Sequence, residues 1–323
     1  MGELTIGIDL GGTNIVAVAT DTDANILERE KVNTTSGQDV ESTARQMHEA
    51  ASETLDSLDR DWEDVGNVGI AIPSAIDPAT GDLLHAPNLG WQQQPALPTF
   101  ESVFGRKVFL QNDVNCGLLA EHRLGAGRGA GTLVGFFVGT GLGGALLVNG
   151  RLHTGLRGCA GELGHQIVKY KGARCGCGNR GCLEAYCSKT GFGRRFRKKI
   201  EKKGKKSMLT EMVGSDLDNV KSKYLKKAYL AGDDVVTKTL NRGAYMLGVG
   251  TANLMAALAP DCVVYGGGVM EALGEALLPQ VREGLDEHLF GLQPQDVTLK
   301  LSELGDDAVP LGAALYAQAE GNV

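Results

Sequence analysis

A strand, a glycine turn and a second strand occur in succession twice along this chain, and that recurrence limits the folds open to it. Near the amino terminus, LTIGIDL is followed by the turn GGTN, the strand IVAVAT, the turn DTDA and a third strand, NILEREKV, which together read as a β-meander. From residue 132 the pattern returns as TLVGFFV, the glycine-rich GTGLGG, then ALLVNG and a short extended stretch through Leu152. Such self-similarity points to a duplicated fold. After the first meander, Ala44, Met47, Ala51, Leu55 and Leu58 recur at helical spacing, and VGNVGIAIP supplies a buried strand. Further on, GAYMLGVGTANLMAAL reads as a buried helix ended by Pro260, DCVVYGGGV as a strand running into glycines, and PLGAALYAQAEG as a closing helix. Strands alternating with helices predict an α/β protein with mixed sheets. The 323 residues exceed what one hydrophobic core usually supports, so two lobes are expected.

Charge and cysteine usage narrow the functional classes. A formal net charge of -7 gives no global attraction to nucleic acid. The start, MGELTIGIDLGG, has no basic segment followed by a long apolar stretch, and no run approaches the roughly 20 apolar residues of a membrane span. The expectation is a soluble, cytoplasmic protein without a membrane partner. Stable disulfides are uncommon in that reducing compartment, and the seven cysteines are an odd number. Metal binding gains weight accordingly.

Glycines cluster where phosphates bind in other proteins. In DLGGTN, Asp9 precedes Gly11, Gly12, Thr13 and Asn14, so the backbone can turn tightly and approach a phosphate with no Cβ in the way, and Asp9 is placed to hold a hydrated magnesium ion. The hexapeptide alone is equally an ordinary glycine hairpin. Two further loops change the weighing, because Gly139, Thr140 and Gly141 in GTGLGG and the run Gly266, Gly267 and Gly268 both follow apolar strands. Three such loops suggest a nucleotide cleft. None matches a Walker-type P-loop, and the strand-turn-strand setting argues against a Rossmann fingerprint.

The densest chemistry lies in GELGHQIVKYKGARCGCGNRGCLEAY, residues 161–186. His165, Cys175, Cys177 and Cys182 offer one imidazole and three thiolates, a set that suits closed tetrahedral zinc, with Gly176, Gly178 and Gly181 letting the chain fold around one ion. Four protein ligands leave no open position for water, so the zinc reads as structural. Glu162 and Glu184 frame the knot. A metal-bound imidazole has a second nitrogen that a substrate hydroxyl can partner, and the two glutamates can accept from neighbouring hydroxyls. Away from this motif, each glutamate would read as a solvated surface charge. A general base is offered by Asn112 and Asp113, at the end of the apolar strand in KVFLQNDVN, although NDVN is also a sound start for a helix, and both readings stand.

These motifs together resemble the ROK family (repressor, open reading frame, kinase) within the actin-like and hexokinase-like ATPase superfamily. The resemblance covers nearly the whole chain through DLGGTN, NLGW at 88–91, NDVN at 112–115, GTGLGG at 139–144, GELGH at 161–165, CGCGNRGCLE at 175–184 and PDCVVYGGGV at 260–269. It implies duplicated RNase H-like lobes with a zinc knot: a small lobe of residues 1–115 completed by the helix at 309–323, and a large lobe of residues 116–308. It further implies a glucokinase that moves the γ-phosphoryl of magnesium ATP to the 6-hydroxyl of glucose in carbohydrate metabolism. Asp113 is then the general base, and Asn88, Asn112, Glu162, His165 and Glu184 hold sugar hydroxyls. A homodimer or homotetramer is the expected assembly. IPSAID around Pro73 departs from the family's frequent G-x-P-G, which bears on the choice among glucose, mannose, fructose and N-acetylhexosamines. Sugar-sensing regulators of the same family carry a helix-turn-helix module, for which the eight residues before Asp9 leave no room. The segment RRFRKKIEKKGKK, residues 194–206, holds nine basic positions and reads as a solvated helical face, with polyphosphate binding the remoter alternative.

Overall fold

The computed structural model describes residues 3–86, 89–218 and 220–323, and the chain in it is α/β with mixed sheets. It divides into two compact units, the first made of residues 1–129, 146–161 and 306–323, the second of residues 130–145 and 162–305. The sequence-based boundary at 115/116 falls inside the helix Asp113–Arg123, which packs on the carboxy-terminal helix and lies whole in the first unit. Among the described residues no helix is long and apolar enough to cross a membrane.

The first unit is built on a five-stranded sheet. Its strands are β1 (Leu4–Leu10), β2 (Asn14–Thr20), β3 (Ile26–Asn33), β4 (Val65–Ile72) and, after the short strands β5 (Ala75–Ile76), β6 (Asp82–His85) and β7 (Gln94–Pro95), β8 (Val108–Asn112). The order is β3-β2-β1-β4-β8, with β1, β2 and β3 antiparallel in succession and β4 and β8 parallel to β1. Being central, β1 is buried along nearly its whole length, which is why its sequence runs apolar instead of alternating. Helices α1 (Val40–Asp56) and α2 (Leu97–Phe104) contribute to the core on one side, and α3 (Asp113–Arg123) follows β8 directly. Leu58, assigned to the first helix by its spacing, lies in the turn beyond it.

The second sheet repeats the plan. Strands β9 (Leu133–Val138), β10 (Leu142–Val148), β11 (Arg151–Leu152), β12 (Cys262–Gly266) and β13 (Thr298–Leu301) lie in the order β11-β10-β9-β12-β13. Counted within each sheet, the order is third, second, first, fourth, fifth both times, and the last two strands run parallel to the first in both. The repeated meander is therefore a repeated topology. The remaining helices are α4 (Lys189–Ile200), α5 (Leu209–Val213), α6 (Ser222–Leu230), α7 (Asp234–Leu258), α8 (Gly268–Asp286) and α9 (Ala308–Gln318). Helix α7 starts at Asp234, well before the Gly243 anticipated from the sequence, because Asp233 accepts from the amides of Val235 and Val236 and caps the first turn. It ends where expected, with Ala259 left-handed just before Pro260.

Helix α9 shows why small residues recur at the end of the chain. Gly7 and Gly69 are register partners on β1 and β4, and a Cβ on either would lie 2.1 Å from the Pro310 carbonyl oxygen or 1.9 Å from that of Ala313. The paired glycines open a trough in the sheet. Ala313, Ala314 and Ala317 let the helix backbone settle there, and Gly312 lets it approach α3.

Candidate functional site

The histidine and cysteines come together within the second unit. His165 closes a short 3₁₀ turn, Leu163–His165, whose Gly164 packs so closely on Leu142 that a Cβ would stand 2.1 Å from that residue's carbonyl oxygen. From there the chain doubles back through bridges between Ile167 and Cys182 and between Arg174 and Arg180. Gly181 is required in this hairpin: its φ is +89°, and a Cβ would meet the Lys169 carbonyl oxygen at 1.9 Å. The ligand atoms of His165, Cys175, Cys177 and Cys182 all lie within 4.8 Å of one another.

The spacing of these atoms tests whether a metal fits. Cys177 and Cys182 sulfurs are 3.7 Å apart, and Cys175 Sγ is 3.8 Å from His165 Nδ1. A tetrahedron with metal–sulfur bonds of about 2.3 Å has edges of roughly 3.8 Å, so the four atoms stand where one zinc-sized ion would gather them. Burial, reinforced by the Glu184 carboxylate, pushes the Cys175 thiol up to about 12 when no metal is bound. Any metal must displace that proton.

The glutamates flanking the knot differ. Glu162 is well exposed, and its Oε2 stands 3.9 Å from His165 Nε2, so the ring turns one nitrogen to the thiols and the other toward a carboxylate open to solvent. Glu184 is anchored: Oε2 accepts from the Leu142 amide at 3.1 Å, and Oε1 accepts from the Cys175 thiol at 3.2 Å. Neither of its oxygens is an idle surface charge. The same carboxylate explains Gly141, where a Cβ would lie 2.7 Å from Glu184 Oε2.

Two glycine loops belong to this unit as well. The first turn of α4 fixes the loop after β9, the amides of Lys189 and Thr190 donating to the carbonyls of Gly139 and Thr140. Beside Gly139 there is open space. After β12, Gly267 has φ +79° and lies so near the Val138 backbone that a Cβ would come within 2.8 Å of it, and Gly268 then opens α8. The unpaired amides of that helix start are a natural anion site. Lys189, which sequence reading missed, places its Nζ 3.8 Å from where a Gly268 Cβ would be. A single lysine at a helix start carries no motif that would have marked it.

The remaining candidates lie in the first unit. Asn112 takes the helix-cap role that NDVN suggested: its Oδ1 accepts from the Asn115 amide at 3.1 Å, and its Nδ2 donates to Asp113 Oδ1 at 3.0 Å and to the Ser74 carbonyl at 3.3 Å. That leaves Asp113 as the first helical residue, its carboxylate held by Asn112 and by the Val114 amide. The Ser74 contact ties IPSAID to this pair. Asp9, on β1, feels the charges of Asp113 and Asp306, and burial first, then these neighbours, raise it to about 7. Asp306, at the far end of the chain, had no signal in the sequence. A buried carboxylate that feels two further carboxylates suits a divalent cation. Between Asp9 and Asn14, the turn is clasped by Thr34, whose hydroxyl donates to the Gly11 carbonyl at 2.7 Å. Asn88 lies outside the described residues.

Comparison with known proteins places this arrangement. Residues 5–320 match the ROK family, and the chain belongs to that family. A glucokinase of Thermotoga maritima is 34% identical over 310 residues, 96% of this chain and 95% of that protein. An N-acetylgalactosamine kinase of Shewanella is 31% identical over 320 residues, 96% of this chain and 95% of that protein. The crystal structure of a ROK family glucokinase from Streptomyces griseus in complex with glucose and AMPPNP superposes with a TM-score of 0.83 at 31% identity, covering 98% of this chain and 99% of that one.

Proposed function

We propose that this protein is a hexose kinase that transfers the γ-phosphoryl group of magnesium ATP to the 6-hydroxyl of glucose. The observation that carries the reading is the attitude of His165, whose Nδ1 faces the thiols while Nε2 faces the exposed Glu162. A knot built only to hold a turn has no need to aim an imidazole N–H at an open carboxylate. Glu162 and the His165 N–H hold sugar hydroxyls, joined by Glu184, Asn112 and Asn88.

His165, Cys175, Cys177 and Cys182 would hold zinc, which would supply no reacting group and would fix the imidazole ring. Asp9 would help hold magnesium, which would offset phosphate charge. Phosphoryl transfer asks little covalent work of a protein, so positioning and charge carry most of it. Asp113 accepts the proton of the attacking hydroxyl, oriented for this by the Asn112 amide and the Val114 N–H. Backbone amides of Gly139 to Gly141 and of the start of α8 receive the phosphates, with Lys189 adding positive charge.

A coupled assay across glucose, mannose, fructose, N-acetylglucosamine and N-acetylgalactosamine, with ATP, other nucleoside triphosphates and polyphosphate as donors, tests the reading. The expected outcome is the highest kcat/KM with glucose and ATP. No turnover with any hexose would overturn the kinase assignment, and a preference for an N-acetyl sugar would overturn the substrate.

A further inference from the structure

We propose that the cavity between the knot loop and helix α4 binds a small anion bearing clustered phosphate groups. It has a volume of about 710 Å³, within the range of small-molecule sites. Its walls carry Arg174, Arg194, Arg195, Lys198, Lys199 and Lys203, and among the described residues no aspartate or glutamate lines it. Such a concentration of one charge is unusual in a chain whose formal net charge is -7.

The basic run is largely exposed, as a solvated face would be, but Arg195 and Lys199 are half-buried. Phe192 and Phe196 bury one side of α4, and Arg197 is paired with Asp218. Arg195 lines the cavity. It is half-buried and, among the described residues, makes no hydrogen bond or ion pair. Burial, and then the like charge of Arg242, weaken its hold on its proton; burial and the charge of Arg195 do the same to Lys199. Asp233 and Asp234 offset part of the charge at Lys199, but like charges gathered at half-buried Arg195 and Lys199 still cost free energy that an anionic ligand would return.

The cavity is also held in shape. Arg194 donates to the Arg174 carbonyl at 2.8 Å, and the Tyr186 hydroxyl accepts from the Ala173 amide at 2.7 Å, so the knot loop is pinned to the helix that carries the cations. Lys199 Nζ is set by Thr239 Oγ1 at 3.1 Å and the Val235 carbonyl at 3.3 Å. A concave, pre-shaped site suits a compact polyanion better than a nucleic acid strand, which needs a groove and free aromatic faces for stacking; the one aromatic residue in the lining, Tyr186, is committed to Ala173. Cys175 and Gly176 belong to the wall, so a bound anion would brace the metal-binding loop from behind.

The test is titration calorimetry on the full zinc-loaded chain, with magnesium and a saturating non-hydrolysable ATP analogue present, using inorganic tripolyphosphate in one arm and fructose 1,6-bisphosphate in the other. Binding of either probe at one site per chain is expected, the tighter arm telling an inorganic phosphate chain from a phosphorylated metabolite. Its affinity should weaken as salt rises. The double variant Arg195→Glu/Lys198→Glu should weaken binding by about 10- to 100-fold, the worth of a lost charged hydrogen bond or two, while zinc content and glucose turnover stay unchanged. Arg195→Gln serves the same purpose if the double variant melts early. No binding of either probe overturns the proposal, as does binding that vanishes when the analogue is present or that survives the substitutions. The measurement reads binding alone, so its failure would leave the kinase reading untouched.

Discussion

Asp113 is the residue on which the proposed chemistry turns, and its surroundings explain why a carboxylate at a helix start can serve as a base. Asn112 spends its side chain on capping α3, which frees Asp113 from that duty while keeping it oriented. Asp113→Asn is expected to lower kcat by about 10² to 10⁴, with glucose binding and melting temperature nearly unchanged. Steady-state kinetics beside a thermal melt check this, and near-normal turnover in the folded variant would refute the role. Asp9 makes a second, opposite kind of prediction. Its proton is held to about pH 7 in the fold against an ordinary value of 3.8. Below about pH 4 both folded and unfolded chains keep the proton, and Asp9 costs nothing. Between those values the unfolded chain ionises first, so the penalty grows with pH and is complete above the folded value. Asp9→Asn should therefore raise the melting temperature of the metal-free protein at about pH 8 and leave it unmoved at about pH 4. An equal shift at both would remove electrostatics as the cause.

At the scale of elements, the hairpin from Ile167 to Cys182 is the unit to perturb, because one small knot serves both the metal cluster and the proposed sugar contacts of His165. Purified protein should carry one zinc per chain, measured by metal analysis. Cys177→Ser should release it and raise the glucose KM, although Cys177 is an exposed cysteine with no proposed contact to sugar. A folded variant that has lost zinc yet keeps its glucose KM would show the two functions to be independent. This knot was legible in the sequence because its ligands and glycines are close neighbours along the chain. So were β1, β2 and β4, whose apolar runs and turn glycines are local signals. Asp306 and Lys189 were not legible, since each meets its partners only through the fold: Asp306 reaches Asp9 because the chain returns to the first sheet at its end. The start of α7 was missed for a related reason, its capping Asp233 standing well ahead of the apolar stretch that announces the helix.

At the scale of the whole molecule, the first unit depends on residues from 306 onward. Helix α9 covers β1 and β4 through their paired glycines, and Gly312 lies so close to α3 that a Cβ would stand 1.8 Å from the Cys116 carbonyl oxygen. Removing residues 306–323 should therefore uncover Ala71 and Cys116, which pack with Ala313, and yield insoluble protein, whereas loss of only Gly321 to Val323 should be tolerated. Soluble, cooperatively melting protein after the longer deletion would contradict this account. The same dependence sets a timetable for synthesis on the ribosome. Residues 130–305 contain every segment of the second unit, so that unit is fully translated while the first sheet, begun much earlier, still lacks the helix that closes it. Domains ordinarily fold in the order in which they emerge. Here the part of the protein that is made first is the part that must wait longest, its two bare glycines uncovered until the final turns of helix arrive.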